Sequence, residues 1–111
     1  MTYYEVAQMI DEIGLPFAYY QYPVNEAPPL PYVVYFYPNR DDFNADNENY
    51  AKVETLVIEL YTETKDFYCE ELVETVLATH HITYDKTESF INKEQMYQCY
   101  YESEVLINGY Q

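Results

Sequence analysis

Glycine is almost absent from this sequence: of 111 residues, only Gly14 and Gly109 are glycine, and the two lie far apart. Loops that bind nucleotide phosphates need several closely spaced glycines, because their backbone must turn sharply and approach the phosphates. Two isolated glycines therefore exclude a glycine-rich phosphate-binding loop.

Basic residues are also scarce, with five Lys and Arg against 20 Asp and Glu, which gives a formal net charge of -15. Proteins that hold nucleic acid through its phosphates need clustered Lys and Arg side chains. The charge therefore argues against a nucleic-acid-binding protein, and DNA that passes close to this chain should be repelled without specific binding.

The two cysteines, Cys69 and Cys99, form no CxxC motif and no disulfide framework, so we expect two buried, reduced thiols. No segment reaches the roughly 18 apolar residues that a membrane helix needs, so we expect no membrane contact. The opening residues "MTYYEVAQMI" have no basic region and no long apolar run. We therefore expect no signal peptide and a cytoplasmic location.

Tyrosine, in contrast, is abundant: the chain has 16 Tyr, and 49% of its residues are hydrophobic. Tyrosine favours strands, and it suits positions where one part of the side chain is buried and another part contacts water. The length and the periodic apolar residues predict one folded domain spanning residues 1–111. The tyrosines predict either a rich core or subunit interfaces.

The first predicted element is a helix over residues 3–13. Thr2 and Glu5 have the spacing of a capping box, in which each satisfies a backbone amide of the first turn. Gly14 follows as a C-terminal cap, and Pro16 prevents the helix from continuing.

A second helix is predicted over residues 66–79, with Asp66 as its N-cap. Glu70 and Glu71 fall in its first turn, where negative charge is favourable and where we expect an exposed surface. The adjacent His80 and His81 close this helix.

Alternating or continuous apolar residues predict five strands, at residues 17–23, 32–38, 50–63, 82–91 and 94–107. We therefore predict an α+β fold: a mostly antiparallel sheet of about four to five strands, with the two helices packed on one face. The opposite face should carry Tyr and Glu and remain available to solvent or partners.

The stretch "DFNADNENY" at residues 42–50 begins like the calcium loop of an EF-hand, with Asp42, Asn44 and Asp46 at alternate positions. However, Asn47 stands where that loop needs Gly, and Val53 stands where it needs a bidentate Glu. We therefore interpret the stretch as a turn-forming loop between two long strands, with a surface suited to partner contact. The predicted partner-binding residues are Arg40, Asp41, Asp42, Phe43, Asn44, Asp46 and Asn47.

The sequence offers little for catalysis. It contains no GxSxG elbow and no Cys-His pattern, and the adjacent His80 and His81 lack the spacing of three or four that metal sites on helices use. We therefore predict a protein that is not an enzyme, with no catalytic residue, no metal and no cofactor.

Four segments, "PYVVY", "ADNENY", "VIELYTETKD" and "MYQCYYESEVLI", span almost the whole chain. Together they make it resemble the tail-terminator and tail-completion proteins of long-tailed bacteriophages and prophages. The resemblance implies an α+β subunit that closes into a hexameric ring, caps the tail-tube protein and docks to the head-connector protein. It also implies DNA passing through the ring, no catalytic residues, and a location in the host cytoplasm and then in the virion tail or neck.

Two alternatives stay open at this point. The chain could be a related neck protein that completes the head side of the same joint. It could also be an acidic adaptor that mimics nucleic acid and masks a basic partner, which would require carboxylates spaced like phosphates on one surface.

Overall fold

The computed structural model describes residues 1–45 and 48–108. Within these residues the chain forms two helices, α1 (Tyr3–Glu12) and α2 (Phe67–Thr79). It also forms six strands, which are β1 (Phe17–Tyr19), β2 (Tyr32–Phe36), β3 (Phe43–Ala45), β4 (Glu48–Thr62), β5 (Asp85–Ile91) and β6 (Met96–Ile107).

The main sheet has the strand order β1-β2-β4-β6-β5, and β3 pairs with the beginning of β4. The pair of β1 and β2 is parallel, whereas every other pairing is antiparallel. The predicted α+β fold, with a mostly antiparallel sheet and two helices, is confirmed.

Helix α1 forms because both of its ends are satisfied locally. The Thr2 hydroxyl accepts a hydrogen bond from the Glu5 amide at 3.0 Å, and the Glu5 carboxylate accepts one from the Thr2 amide at 2.8 Å. This is the predicted capping box. Gly14, at φ 85°, then ends the helix in a left-handed conformation that suits glycine.

Helix α2 begins at the predicted cap, where the Asp66 carboxylate accepts a hydrogen bond from the Cys69 amide at 3.0 Å. Both helices bury their apolar faces against the same side of the sheet, in a single cluster. The cluster is centred on Val6, Met9, Ile10, Val73 and Leu77 of the helices and on Val33, Leu56, Ile58, Leu60, Cys99 and Tyr101 of the strands. We call the opposite side of the sheet the outer face.

The segment after β1 differs from the sequence expectation. A strand was predicted over residues 17–23, but the chain turns at Tyr20, which has φ 70°, and β1 ends at Tyr19. Residues 20–31 then return to β2 beside the outer face. The outer face is accordingly not fully open, since Val34 and Val57 on it are 4% and 0% exposed.

Strand β4 is longer than predicted at its beginning and extends past the main sheet. Its first rung with β6 joins Lys52 to Ile107, so among the described strands residues 48–51 pair with β3 alone. The molecule is therefore elongated, with extents of 50 × 29 × 23 Å. Its radius of gyration of 15.0 Å exceeds the value of about 13 Å that is typical of a compact domain of this length.

Candidate functional site

The outer face is acidic and rich in tyrosine. The register between the strands places the carboxylates of Glu59, Asp85, Glu102 and Glu104 on this face. Over the described main sheet, its strand positions carry no Lys or Arg. The outer face is therefore suited to a basic partner and unsuited to an anionic one.

A hydrogen-bonded group lies at the centre of the outer face. The Tyr61 hydroxyl donates to Glu59 Oε1 at 2.9 Å, and Gln98 Nε2 donates to the Tyr61 hydroxyl at 2.9 Å. Gln98 Nε2 also reaches Glu59 Oε2 at 3.3 Å. Burial raises the pKa of Glu59 above its ordinary value, although the Tyr61 hydroxyl opposes that shift. Glu59 is thus a partly desolvated carboxylate that is fixed in orientation.

One end of the outer face forms an acidic cleft of about 330 Å³. Asp85, Glu102 and Glu104 line it together with Thr55. The Tyr100 hydroxyl donates to Glu102 at 3.5 Å. This cleft concentrates negative charge at the point where β5 begins, beside Glu102 of β6.

The other end of the outer face forms an aromatic pocket of about 320 Å³, between residues 20–31 and the β5–β6 hairpin. We call it the tyrosine pocket. Its lining includes Tyr20, Tyr22, Tyr32, Tyr61, Glu94 and Met96. This pocket was not predicted from the sequence, although the dense tyrosines of "YYQYP" just before the proline-rich connector were a signal for it.

A charged cluster lies on the helix side, between α2 and the edge strand β5. Glu70 is only 3% exposed, which corrects the expectation of an exposed helical turn. Its Oε1 accepts hydrogen bonds from Lys65 at 2.8 Å and from Lys86 at 2.6 Å. Burial alone would raise the pKa of Glu70, but the two lysines outweigh burial and lower it.

The same cluster extends to two further carboxylates. Lys86 donates to Glu74 at 2.8 Å, and Lys65 donates to Glu88, which also accepts from the Tyr97 hydroxyl at 2.7 Å. These contacts hold β5 against α2. They also place inward-pointing charges on an edge strand, a device that discourages unwanted strand pairing.

Glu70, Glu88 and Cys99 bring three potential metal ligands within 4.8 Å of one another. Two ammonium groups, those of Lys65 and Lys86, already neutralise these carboxylates. A divalent cation would have to displace both lysines, so we assign this cluster a structural role.

The thiols are buried as predicted. Cys69 and Cys99 are free, and burial raises the pKa of Cys69 to about 11 and that of Cys99 to about 12. Neither is a thiolate at neutral pH, which argues against a cysteine nucleophile. His80 caps α2 as predicted, and its Nε2 lies 3.0 Å from Glu12 Oε1, which joins the ends of the two helices.

The predicted partner-binding loop is fixed at its base. Arg40 and Asp42 form a two-pronged ion pair, with distances of 2.8 Å from Nε to Oδ1 and 2.9 Å from Nη2 to Oδ2. The Asp41 amide donates to the Val53 carbonyl at 2.7 Å. The Asp41–Val53 hydrogen bond therefore joins the segment before β3 to β4, where the strand pair leaves the main sheet.

The remaining residues of that loop divide into two groups. Phe43 and Asn44 belong to β3 and pair with β4, whereas Asp46 and Asn47 lie outside the described residues. From Glu48 onward the chain is strand, where an EF-hand would begin its second helix. Partner binding by this loop stays a prediction.

Neither helix in the described part of the chain is long and apolar enough to cross a membrane. A comparison with protein-family models gives no match for this sequence, and a comparison with curated proteins gives none either.

Proposed function

We propose that this chain is a structural, non-catalytic subunit of a long-tailed bacteriophage or prophage. Six copies form a ring that caps the tail tube at its head-proximal end and joins the tail to the head. The subunit works in the host cytoplasm during assembly and then in the neck of the virion. The resemblance of "PYVVY", "VIELYTETKD" and "MYQCYYESEVLI" to tail-terminator and tail-completion proteins supports this proposal.

The observation that carries the proposal is the strand pair of β3 and residues 48–51, which extends past the main sheet. A ring needs a heterologous interface, in which one surface of a subunit contacts a different surface of the next. A strand pair with unpaired outer edges can add to a neighbour's sheet through main-chain hydrogen bonds. The bridge between Arg40 and Glu54 and the Asp41 amide's hydrogen bond to the Val53 carbonyl join the segment before β3 to β4 at this point.

The acidic cleft supports the part of the proposal that concerns DNA. Glu102 and Glu104 are both exposed, and Asp85 lies beside them in the cleft. Phosphates and carboxylates repel one another within a Debye length of about 8–10 Å at physiological salt. A ring with these carboxylates toward its opening would let DNA slide through without holding it.

The proposal is tested by mixing the purified chain with the tail-tube protein and, separately, with the head-connector protein of the same phage genome. Native mass spectrometry and pull-down should show a hexamer that binds the end of the tail tube. Binding to the head connector alone would instead make the chain a head-side neck protein. A stable monomer that binds only a basic nucleic-acid-binding protein would make it a nucleic-acid mimic.

The electrostatic part is tested separately. The double variant Glu102→Lys, Glu104→Lys should slow DNA ejection from assembled particles, because the cleft would then attract phosphates. The double variant Asp11→Lys, Glu63→Lys, at two exposed positions outside the cleft, changes the net charge equally and is the matched control. Unchanged ejection in the Glu102→Lys, Glu104→Lys variant would refute the repulsion mechanism. It would not contradict the proposed formation of a ring.

A further inference from the structure

We propose that the tyrosine pocket binds the side chain of an arginine that a partner protein presents. The pocket belongs to the single subunit, so this inference goes beyond ring formation and does not depend on it. It assigns the aromatic end of the outer face a ligand of defined chemistry, a planar guanidinium cation.

Three tyrosine rings pack together in the lining of the pocket. Tyr22 and Tyr32 meet edge to face, with ring centroids 5.2 Å apart, and the tilted Tyr32–Tyr61 pair has centroids 5.4 Å apart. The face of an aromatic ring is the negative part of its quadrupole and attracts cations within about 6 Å. A guanidinium group can also stack on such a ring, because it is flat and weakly hydrated.

The charges around the pocket favour a cation over an anion. Glu94 lines the pocket, and its charge adds to burial in raising the pKa of Tyr32. Glu59 lies next to Tyr61, to which it is hydrogen-bonded. The whole chain has a formal net charge of -15, so basic partners are attracted to it.

Glu94 distinguishes a guanidinium from other ligands, because it lines the pocket and is exposed. A guanidinium has five N–H donors in a fixed fork, so it can donate to this carboxylate while its flat face stacks on a tyrosine ring. An apolar ligand would gain nothing from the carboxylate, and a lysine ammonium is more strongly hydrated.

The size of the pocket fits a side chain of a partner protein. About 320 Å³ lies at the lower end of the range for ligand pockets, roughly 300–1,000 Å³. A pocket of this volume accommodates one long side chain. The partner would therefore present one exposed arginine.

The test is an NMR titration of the isotope-labelled chain with the blocked peptide Gly-Gly-Arg-Gly-Gly. Two further peptides carry lysine or citrulline in place of the arginine. Citrulline keeps the shape of arginine but not its charge. We expect saturable shifts confined to residues that line the pocket, with arginine binding about tenfold more tightly than citrulline. Equal binding of citrulline, shifts spread over the whole acidic surface, or no saturation by about 10 mM peptide would overturn the inference.

Glu94→Gln and two control variants sharpen the test. Glu94→Gln should weaken binding about tenfold, whereas Tyr22→Phe, which keeps the ring, and Asp11→Asn, an exposed acid on helix α1, should change binding little. Tyr22→Phe removes a buried hydroxyl that has no hydrogen-bond partner among the described residues, so the variant should fold. Equal affinities for Glu94→Gln and Asp11→Asn would show attraction by net charge alone and would overturn the assignment.

Discussion

Lys86 Nζ lies 2.6 Å from Glu70 Oε1, so a lysine of the edge strand β5 neutralises a carboxylate buried beneath helix α2. The two residues are 16 positions apart in the sequence. Their contact, together with that of Lys65, fixes the edge of the sheet against the helix.

Replacing Lys86 by methionine should destabilise the fold by about 2 kcal/mol, because Glu70 would remain buried with only Lys65 to neutralise it. Lys93→Met, at an exposed position in the β5–β6 hairpin, is the matched control and should change stability little. Urea unfolding followed by circular dichroism measures the difference. Equal midpoints for the two variants would show that the buried contact contributes nothing.

Acid should weaken the fold through the same cluster. The pKa of Glu70 and that of Glu74 are lower in the folded state than their ordinary values. Burial opposes this shift, but hydrogen bonds from Lys65 and Lys86 to Glu70, and from Lys86 and Tyr101 to Glu74, outweigh it. Their stabilisation is therefore fully present above the unfolded pKa of about 4.3 and is lost as the pH falls through the folded values. Thermal melts from pH 7 down to pH 3 should show this loss.

Glu59 should contribute to the pH dependence of stability with the sign opposite to that of Glu70 and Glu74. Burial raises its folded pKa, so its protonated form is favoured in the fold, and that contribution is lost as the pH rises through the folded value. Glu59→Gln should therefore raise stability at pH 7 by about 0.5 kcal/mol, since the amide can still accept from Tyr61. A clear loss of stability at pH 7 would contradict this assignment.

The projecting strand pair should depend on a contact with helix α1. The Tyr3 hydroxyl donates to the Glu54 carboxylate at 2.6 Å, and Glu54 is buried where the strand pair leaves the sheet. Tyr3→Phe should lower stability by about 1 kcal/mol and increase amide exchange at residues 52–55. Tyr4→Phe, at the neighbouring exposed tyrosine, should have no effect, and similar exchange in both variants would rule out this anchoring role.

Both thiols should resist modification in the folded protein. The pKa of Cys69 is about 11 and that of Cys99 about 12, and both side chains are buried. Ellman's reagent at pH 8 should react with neither in the folded chain and with both in denaturant. Rapid reaction of one thiol in the folded chain would contradict this prediction, because it would show that the reagent can reach the core without unfolding.

Local patterns predicted much of this fold. The capping box of Thr2 and Glu5, the Asp66 cap, and the alternation of Leu56, Ile58 and Leu60 are all confirmed. Each is decided by residues within a few positions of one another, so the sequence alone can show it.

The features that were not predicted depend on contacts between residues far apart in the sequence. Glu70 has the position of an ordinary first-turn acid, and its burial depends on Lys65 and Lys86, which come from outside the helix. Likewise, the tyrosine pocket requires residues 20–31 to turn back over the outer face, starting at the positive φ of Tyr20. No local pattern specifies such a return.

Electron microscopy of tail tubes assembled with and without this chain tests the central proposal most directly. The proposed function predicts a six-fold ring at one end of each tube, and tubes that stop growing once the ring is present. Tubes that keep growing with bare ends in the presence of excess chain would contradict it.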